Sequence, residues 1–196
     1  MVQRHRRVHS VGYLLGLAGF LLFFINDWND WQLSRRELKF CFPLGFLLLC
    51  AGTIWGCRPE YAPIRGWARW GVLIFAALFL ALEIYTLFFA LSVKDAYTCP
   101  GKKRLACQNG VYALCRHPGV LWFAGLYICL WTAAGMPLRQ ALFFTALDIL
   151  LVFFEDRYVF PARLDGYDEY RTKTPFLLPN RQSIRDCCGK SKQQGA

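Results

Sequence analysis

The sequence predicts an all-α, polytopic membrane protein with about five transmembrane helices and a cytoplasmic C-terminal helical segment. Three observations carry that prediction. Of 196 residues, 56% are hydrophobic and 17% are aromatic. The apolar residues gather in blocks of 15 to 24 residues. At about 1.5 Å rise per residue, an 18-residue block reaches roughly 27 Å, close to a hydrocarbon layer of about 30 Å. Finally, Lys and Arg are spread unevenly among the segments between blocks, as the positive-inside bias produces.

The five expected spans are Val11 to Ile25, Phe40 to Cys57, Trp70 to Val93, Gly119 to Met136 and Leu138 to Phe154. The first follows Arg4, Arg6 and Arg7, as a secretory signal would. It runs into Asn26-Asp27-Trp28-Asn29-Asp30-Trp31 with no small-residue cleavage site, so it reads as a retained helix. Trp28 and Trp31 read as interfacial anchors, where an amphipathic indole is at home. The fourth and fifth blocks are separated by so few residues that they form a helical hairpin. After Phe154 the chain becomes amphipathic from Arg157 to Lys173, which reads as a cytoplasmic helix bounded by Pro175 and Pro179. The whole chain, 1–196, reads as a single integral membrane domain. It comprises three N-terminal helices with their loops (1–103), the hairpin region (104–179) and a flexible tail (180–196).

With five spans, the first loop, the third loop and the C-terminus share one side and hold sixteen of the 23 Lys and Arg residues. That side is the cytoplasm by the positive-inside bias, although the basic N-terminus opposes it. The formal net charge of +10 is therefore a topology and anionic-lipid signal, and nucleic-acid binding is not expected. Nine cysteines do not amount to a disulfide framework, because Cys41, Cys50, Cys57 and Cys129 lie in apolar runs and the cytoplasmic segments would be reducing. Cys99 and Cys107 lack the paired spacing of a zinc site, so no metal is expected. Cys187-Cys188 could be acylated.

Two polar clusters stand at the ends of the hairpin, Arg116-His117-Pro118 and Glu155-Asp156. Charged groups beside hydrocarbon are costly unless they pair or line a wet cavity, which marks such a place as functional by default. Pro118 suits the first turn of a helix, leaving Arg116 and His117 at its donor-rich start. A plain Arg116–Glu155 salt bridge bracketing the hairpin would satisfy the same pattern. His117 alone could be a hydrogen-bonded helix-start residue, and Tyr167 and Tyr170 could be interfacial anchors. Glu83 and Asp148 are further intramembrane carboxylates. Asp148 lies two turns before Glu155 on the same helix face, where it either lines a tunnel or packs on a polar neighbour.

The run Gly110-Val111-Tyr112-Ala113-Leu114-Cys115-Arg116-His117-Pro118 resembles the G-x-Y-x-x-x-R-H-P signature of the isoprenylcysteine carboxyl methyltransferase family. Glu155-Asp156, Tyr167, Tyr170, Pro175 and Pro179 resemble that family's E-E-x10-Y-x2-Y-x4-P-x3-P ending without a gap. The likeness covers roughly residues 104–179. It implies an integral membrane methyltransferase that uses S-adenosylmethionine, acting on a lipophilic or lipid-linked acceptor such as a prenylcysteine-type carboxylate, among membrane lipids. It implies catalytic roles for Arg116 and Glu155. It further implies a cofactor pocket formed by Leu105, Gly110, Tyr112, Arg116, His117, Pro118, Glu155, Asp156, Tyr167, Tyr170 and Leu178. Arg116 and His117 would hold an anionic group, Glu155 would offset the sulfonium, the tyrosines would wall the pocket, and the segment through Leu178 would close it.

Several positions depart from the family pattern. Val120 and Trp122 replace the usual Tyr and Gly, Asp156 replaces the second Glu, Leu151 replaces a basic residue, and Arg163-Leu164 replaces Phe-Gly. A bulky Trp122 is expected to reshape the membrane-facing entrance, so the acceptor is not carried over with the family. A non-catalytic membrane scaffold or lipid-binding protein is the competing expectation. A nicotinamide-dependent enzyme resembling the sterol reductases is a weaker one, because their Lys-Tyr-Gly-x-x-Trp-x-x-Tyr ending is absent.

Overall fold

The structure is a computed structural model that describes residues 2–89 and 104–190. The end of the third expected span at Val93, the polar stretch 94–103 with Cys99, and the tail residues 191–196 lie outside the described residues. The fold is all-helical apart from one short parallel pairing. Its helices are α1 (Val2–Trp28), α2 (Cys41–Gly56), α3 (Trp67–Ile84), α4 (Val111–Leu114), α5 (Pro118–Ala134), α6 (Leu138–Phe154), α7 (Phe160–Arg163), α8 (Tyr167–Lys173) and α9 (Arg181–Lys190). Strand β1 (Arg104–Leu105) pairs with β2 (Leu164–Asp165).

Among the described residues, three helical stretches are long and apolar enough to cross a membrane: Ser10–Leu33, Arg36–Gly56 and Trp67–Leu87. The apolar helix α5 is shorter, and α6 has the bounds expected from its hydropathy. Helix α1 is longer than its apolar block at both ends, because hydropathy marks where a helix meets lipid rather than where its hydrogen bonds stop. The single helix expected over Arg157 to Lys173 is a correction. A π-helical turn (Glu155–Val159) leads into α7, and the chain then extends through β2 before α8 begins. Gly166, with φ of 73°, makes the left-handed corner that separates the two pieces.

Close packing of α1 on α2 depends on missing side chains. A Cβ on Gly19 would lie 2.7 Å from the Gly45 carbonyl oxygen, and one on Gly52 would lie 2.7 Å from that of Gly12. Apolar burial does little to drive helix association in lipid, so this backbone approach supplies the packing that holds the pair. Gln140 of α6 is fully buried at the same seam, where its Nε2 donates to the Gly52 carbonyl at 3.1 Å. Phe20, Phe23, Leu49, Phe123, Tyr127 and Phe144 form the aromatic core where α1, α2, α5 and α6 meet. The Phe144 ring lies directly over Gly16. Helix α3 packs on α5, where Phe79 covers Gly125. Outside this core, Leu14, Leu47, Ile54, Trp70, Ile74 and Leu150 are exposed, an apolar exterior that suits lipid.

The ends of the helices sort into two groups. Arg163 donates to the Asp30 carbonyl and, at 2.7 Å, to the Ser34 hydroxyl, which ties the turn after α1 to the segment after α6. Tyr112 donates to the Thr86 carbonyl at 3.1 Å, which places the end of α3 beside the approach to α5. At the opposite end the Ile64 amide donates to the Thr132 carbonyl at 3.0 Å, joining the α2–α3 connection to the end of α5.

Candidate functional site

Pro118 occupies the first turn of α5, as its missing N–H allows, and Gly135 closes the helix with φ of 72°. Arg116 and His117 just before it are held by backbone bonds from the C-terminal segment. The Arg116 amide donates to the Pro175 carbonyl at 2.9 Å and the His117 amide to that of Phe176 at 3.2 Å. The two motifs, nearly forty residues apart in sequence, therefore lie on one another, and the hairpin is what brings them there.

Asp156 is the centre of the arrangement. Its Oδ1 accepts from Arg116 Nε at 2.8 Å and from the Tyr167 hydroxyl at 2.6 Å, with His117 Nε2 at 3.4 Å. Its Oδ2 accepts from Arg116 Nη2 at 3.2 Å and lies 3.5 Å from Arg171 Nε. Burial opposes ionisation of this carboxyl, but the bonds from His117 and Tyr167 and the Arg116 guanidinium outweigh it and hold the pKa down at about 2. Arg116 Nη1 donates to the carbonyls of Arg171 (2.7 Å) and Thr174 (3.0 Å), and the guanidinium rests 5.6 Å from the Phe176 ring. The expected Arg116–Glu155 salt bridge is replaced by this bidentate Arg116–Asp156 pair.

Tyr170 donates to the Tyr112 carbonyl at 2.7 Å, so α8 is bonded to α4 as well as to Asp156. Tyr167 and Tyr170 are each only 3% exposed, which rules out the interfacial-anchor alternative. Burial pushes the phenols of Tyr112, Tyr167 and Tyr170 upward, so all three are neutral hydrogen-bond donors. His117 is sandwiched by Phe160 and Phe176, and burial lowers its pKa against the opposing pull of Asp156.

Glu155 faces the other way. Its Oε2 lies 3.9 Å from His117 Nδ1. Burial, with Asp27, Asp148 and Asp156 nearby, raises its pKa well above the ordinary value. Deeper in the helices, Asp148 Oδ2 and Glu83 Oε2 are buried without hydrogen-bond partners. The Glu83 carboxyl lies beside the first turn of α5, both oxygens 3.4 Å from where a Gly119 Cβ would be.

Of the residues the sequence singles out, Tyr112, Arg116, His117, Pro118, Glu155, Asp156, Tyr167 and Tyr170 converge. Gly110 begins α4 with φ of 61° and accepts from the Cys187 thiol at its carbonyl. Leu105 and Leu178 stand apart on the surface, 74% and 76% exposed. Trp122 is tied to the segment after α3. Its indole donates to the Thr86 hydroxyl at 3.1 Å and joins α5 to α3. Likewise Trp28 and Trp31, expected as lipid anchors, also pack on Phe154 and Tyr158. Sequence reasoning missed Asp27 and Arg171. For Asp27 the signal was available: it is an acidic residue at the end of an apolar run, as Glu155 is.

S-adenosylmethionine carries a sulfonium, an ammonium and a carboxylate. The unpartnered oxygens of Glu83 and Asp148, and the Glu155 carboxyl, have the acidic chemistry that a cationic group would pair with. Arg116 does not fit the carboxylate as it stands, because its donors are committed to Asp156 and two backbone carbonyls. Fold and site together define an all-helical protein with helices long and apolar enough to cross a membrane, whose C-terminal third closes on a buried arginine–aspartate–tyrosine core. No family model, no curated protein and no solved structure matches the chain.

Proposed function

We propose that this protein is an integral membrane methyltransferase, moving a methyl group from S-adenosylmethionine to a lipophilic or lipid-linked acceptor. The observation that carries this is the assembly around Asp156: both segments that resemble the methyltransferase motifs fold onto each other at one end of the bundle. The bundle crosses the membrane five times, with α5 and α6 as the last two spans and the C-terminus and site in the cytoplasm. The grouping of helix ends supports that alternation.

Bound S-adenosylmethionine supplies an electrophilic methyl group. Methyl transfer needs mainly alignment and exclusion of water, effects that reach about 7 to 11 kcal/mol in well-oriented systems. Glu155 holds its proton in the unliganded protein, and a bound sulfonium would draw out its ionised form, with the acidic side chains of Glu83 and Asp148 deeper in the helices. Arg116 acts as a positioning residue: it fixes Asp156 and the 171–174 backbone, so that Tyr167, Tyr170 and the segment through Pro179 close over the site. His117 stays neutral and holds its place between the two carboxylates.

Replacing Glu155 with Ala removes charge at the cofactor, and replacing Arg116 with Ala unfastens the closing segment. Glu155→Ala is expected to lose S-adenosylmethionine binding by calorimetry and Arg116→Ala to lose binding of both S-adenosylmethionine and S-adenosylhomocysteine, and both variants to lose radiolabelled methyl transfer onto extracted total lipid. Full retention by both purified proteins would remove the assignment. The commitment of Arg116 to internal partners favours a second reading, a non-catalytic membrane scaffold, for which neither S-adenosylhomocysteine nor a reduced nicotinamide would bind.

A further inference from the structure

Arg171 is the cation of the site whose donors the protein does not use up. It stands in the last turn of α8, in the unspecified stretch between the second motif tyrosine and Pro175, so the family resemblance assigns it no role. Its backbone is fixed, because its carbonyl accepts from Arg116 Nη1 at 2.7 Å and the preceding Tyr170 hydroxyl donates to the Tyr112 carbonyl at 2.7 Å. Its side chain makes one polar contact among the described residues, Nε at 3.5 Å from Asp156 Oδ2, which is long for a charged pair. Four N–H donors on Nη1 and Nη2 remain. The side chain is 35% exposed, against 9% for that of Arg116.

Among the described residues, an anion reaching this site finds the neighbouring cations engaged. Arg116 spends Nε and Nη2 on Asp156 and Nη1 on two carbonyls. His117 is enclosed between Phe160 and Phe176, Lys173 is paired with Glu169, and Arg163 binds the Asp30 carbonyl and the Ser34 hydroxyl. Arg157 leans on the Tyr158 ring. Charge points the same way. Arg116 and Asp156 neutralise each other as a bidentate pair, which leaves the positive charge of Arg171 without a counterpart of its own. Across the His117 ring from Asp156 stands the Glu155 carboxyl, with Oε2 3.9 Å from Nδ1. The cluster thus runs from an acid through a neutral middle to an open base, the polarity that a zwitterion matches.

We infer that Arg171 is the residue that takes the amino-acid carboxylate of the cofactor, through the two terminal nitrogens of its guanidinium. The inference rests on the methyltransferase reading for the identity of the ligand, and it moves the anion away from Arg116, where the motif alone would put it. Arg116 then holds the frame, and Arg171 meets the ligand. A planar guanidinium matches a carboxylate with two parallel N–H···O bonds, and an arginine already tethered through its own backbone loses little freedom in forming them. The long contact from Nε to Asp156 orients the guanidinium without exhausting it.

The test uses the full chain in lipid nanodiscs, as wild type, Arg171→Gln and Lys173→Gln, with two ligands: S-adenosylhomocysteine and its analogue carrying hydrogen in place of the carboxylate. Calorimetry compares their affinities. Wild type is expected to bind S-adenosylhomocysteine about ten- to a hundredfold more tightly than the analogue, the worth of hydrogen bonds to a charged group. Arg171→Gln is expected to bind the two alike, and the analogue no more weakly than wild type does. Lys173→Gln is expected to keep the full preference. A purely structural Arg171 would weaken both ligands together and leave their ratio intact, which overturns the inference. So does a ratio lost equally in Lys173→Gln, the mark of diffuse surface charge. Should Arg171→Gln fail to fold, phenylglyoxal labelling of wild type, read by peptide mass spectrometry, decides. Arg171 is expected to be protected by saturating S-adenosylhomocysteine and labelled with the analogue bound; equal labelling in both complexes overturns the inference. Should wild type bind neither ligand, the methyltransferase reading falls and takes this assignment with it, whereas failure of the assignment alone shows as binding with an unaltered preference in Arg171→Gln.

Discussion

Asp156 joins more of the site's side chains than any neighbour, and its titration gives that role a measurable form. The folded structure holds this carboxyl at about 2 against an ordinary 3.8. A depressed acid contributes stability that is complete above the ordinary value and is lost as pH falls through the depressed one. The side chain is 6% exposed, so solvent screening takes little from the contribution, which is about 2 kcal/mol. Thermal unfolding in detergent micelles, followed by near-ultraviolet circular dichroism, is expected to show wild type losing that amount between about pH 4 and 2. Asp156→Asn is expected to be less stable at neutral pH and flat across the same window. His117 acts in a different interval: a buried imidazole with a lowered pKa is destabilised as pH falls below its ordinary 6.5. Much at this scale was legible in the sequence, because Arg, His, Glu and Asp at the ends of apolar runs are costly and therefore informative. The pairing was not legible. Adjacent Glu155 and Asp156 are alike in chemistry, and only the π-helical turn decides which of them points at Arg116 and which at α1.

Among the elements, the α1–α2 pair shows why hydropathy finds helices more readily than it finds their neighbours. Both were visible as apolar blocks, but their packing is written in glycines that an apolar count ignores. A side chain at Gly52 would meet the Gly12 carbonyl at 2.7 Å and the Gly16 amide nitrogen at 2.8 Å. Both obstacles are backbone, so neither can rotate away. Gly52→Leu is expected to cost about 3 kcal/mol or more, near the upper end for overpacking, and to lower the thermal midpoint accordingly. Gly71→Ala on α3 is the matched control. Nothing lies within 4 Å of its would-be Cβ, and the gain in helix propensity makes it neutral or slightly stabilising. Breaks between elements were harder to foresee than the elements themselves. The amphipathic stretch after Phe154 carries Pro161 and Gly166, both small signals in sequence, and together they accompany the split into α7 and α8. The partner of Trp122 was likewise not legible, since its indole bonds a hydroxyl just after α3, thirty-six residues away in sequence.

For the whole molecule, the alternation of helix ends makes a claim about sidedness that composition alone could only suggest. Arg163 binds the turn after α1, so that turn and the C-terminal segment must lie on one side of any membrane the bundle crosses. The α2–α3 connection is bonded to the end of α5 and in the proposed five-span arrangement would belong to the other side. In that arrangement the uneven distribution of Lys and Arg would choose which side is the cytoplasm, by a force independent of packing. Glu37, Glu60 and Glu169 are all exposed and sit in the first connection, the second connection and α8. Cysteine substitutions at these positions, probed in sealed vesicles with a membrane-impermeant maleimide over the background of native thiols, separate the possibilities. Glu37→Cys and Glu169→Cys are expected to react from the cytoplasmic face and Glu60→Cys from the opposite face only. Reaction of Glu60→Cys together with the other two would mean that α2 does not cross, and the five-span arrangement would be lost. Reaction of all three with the sides exchanged would keep the fold and reverse the orientation, placing the Asp156 core where cytoplasmic S-adenosylmethionine cannot reach it.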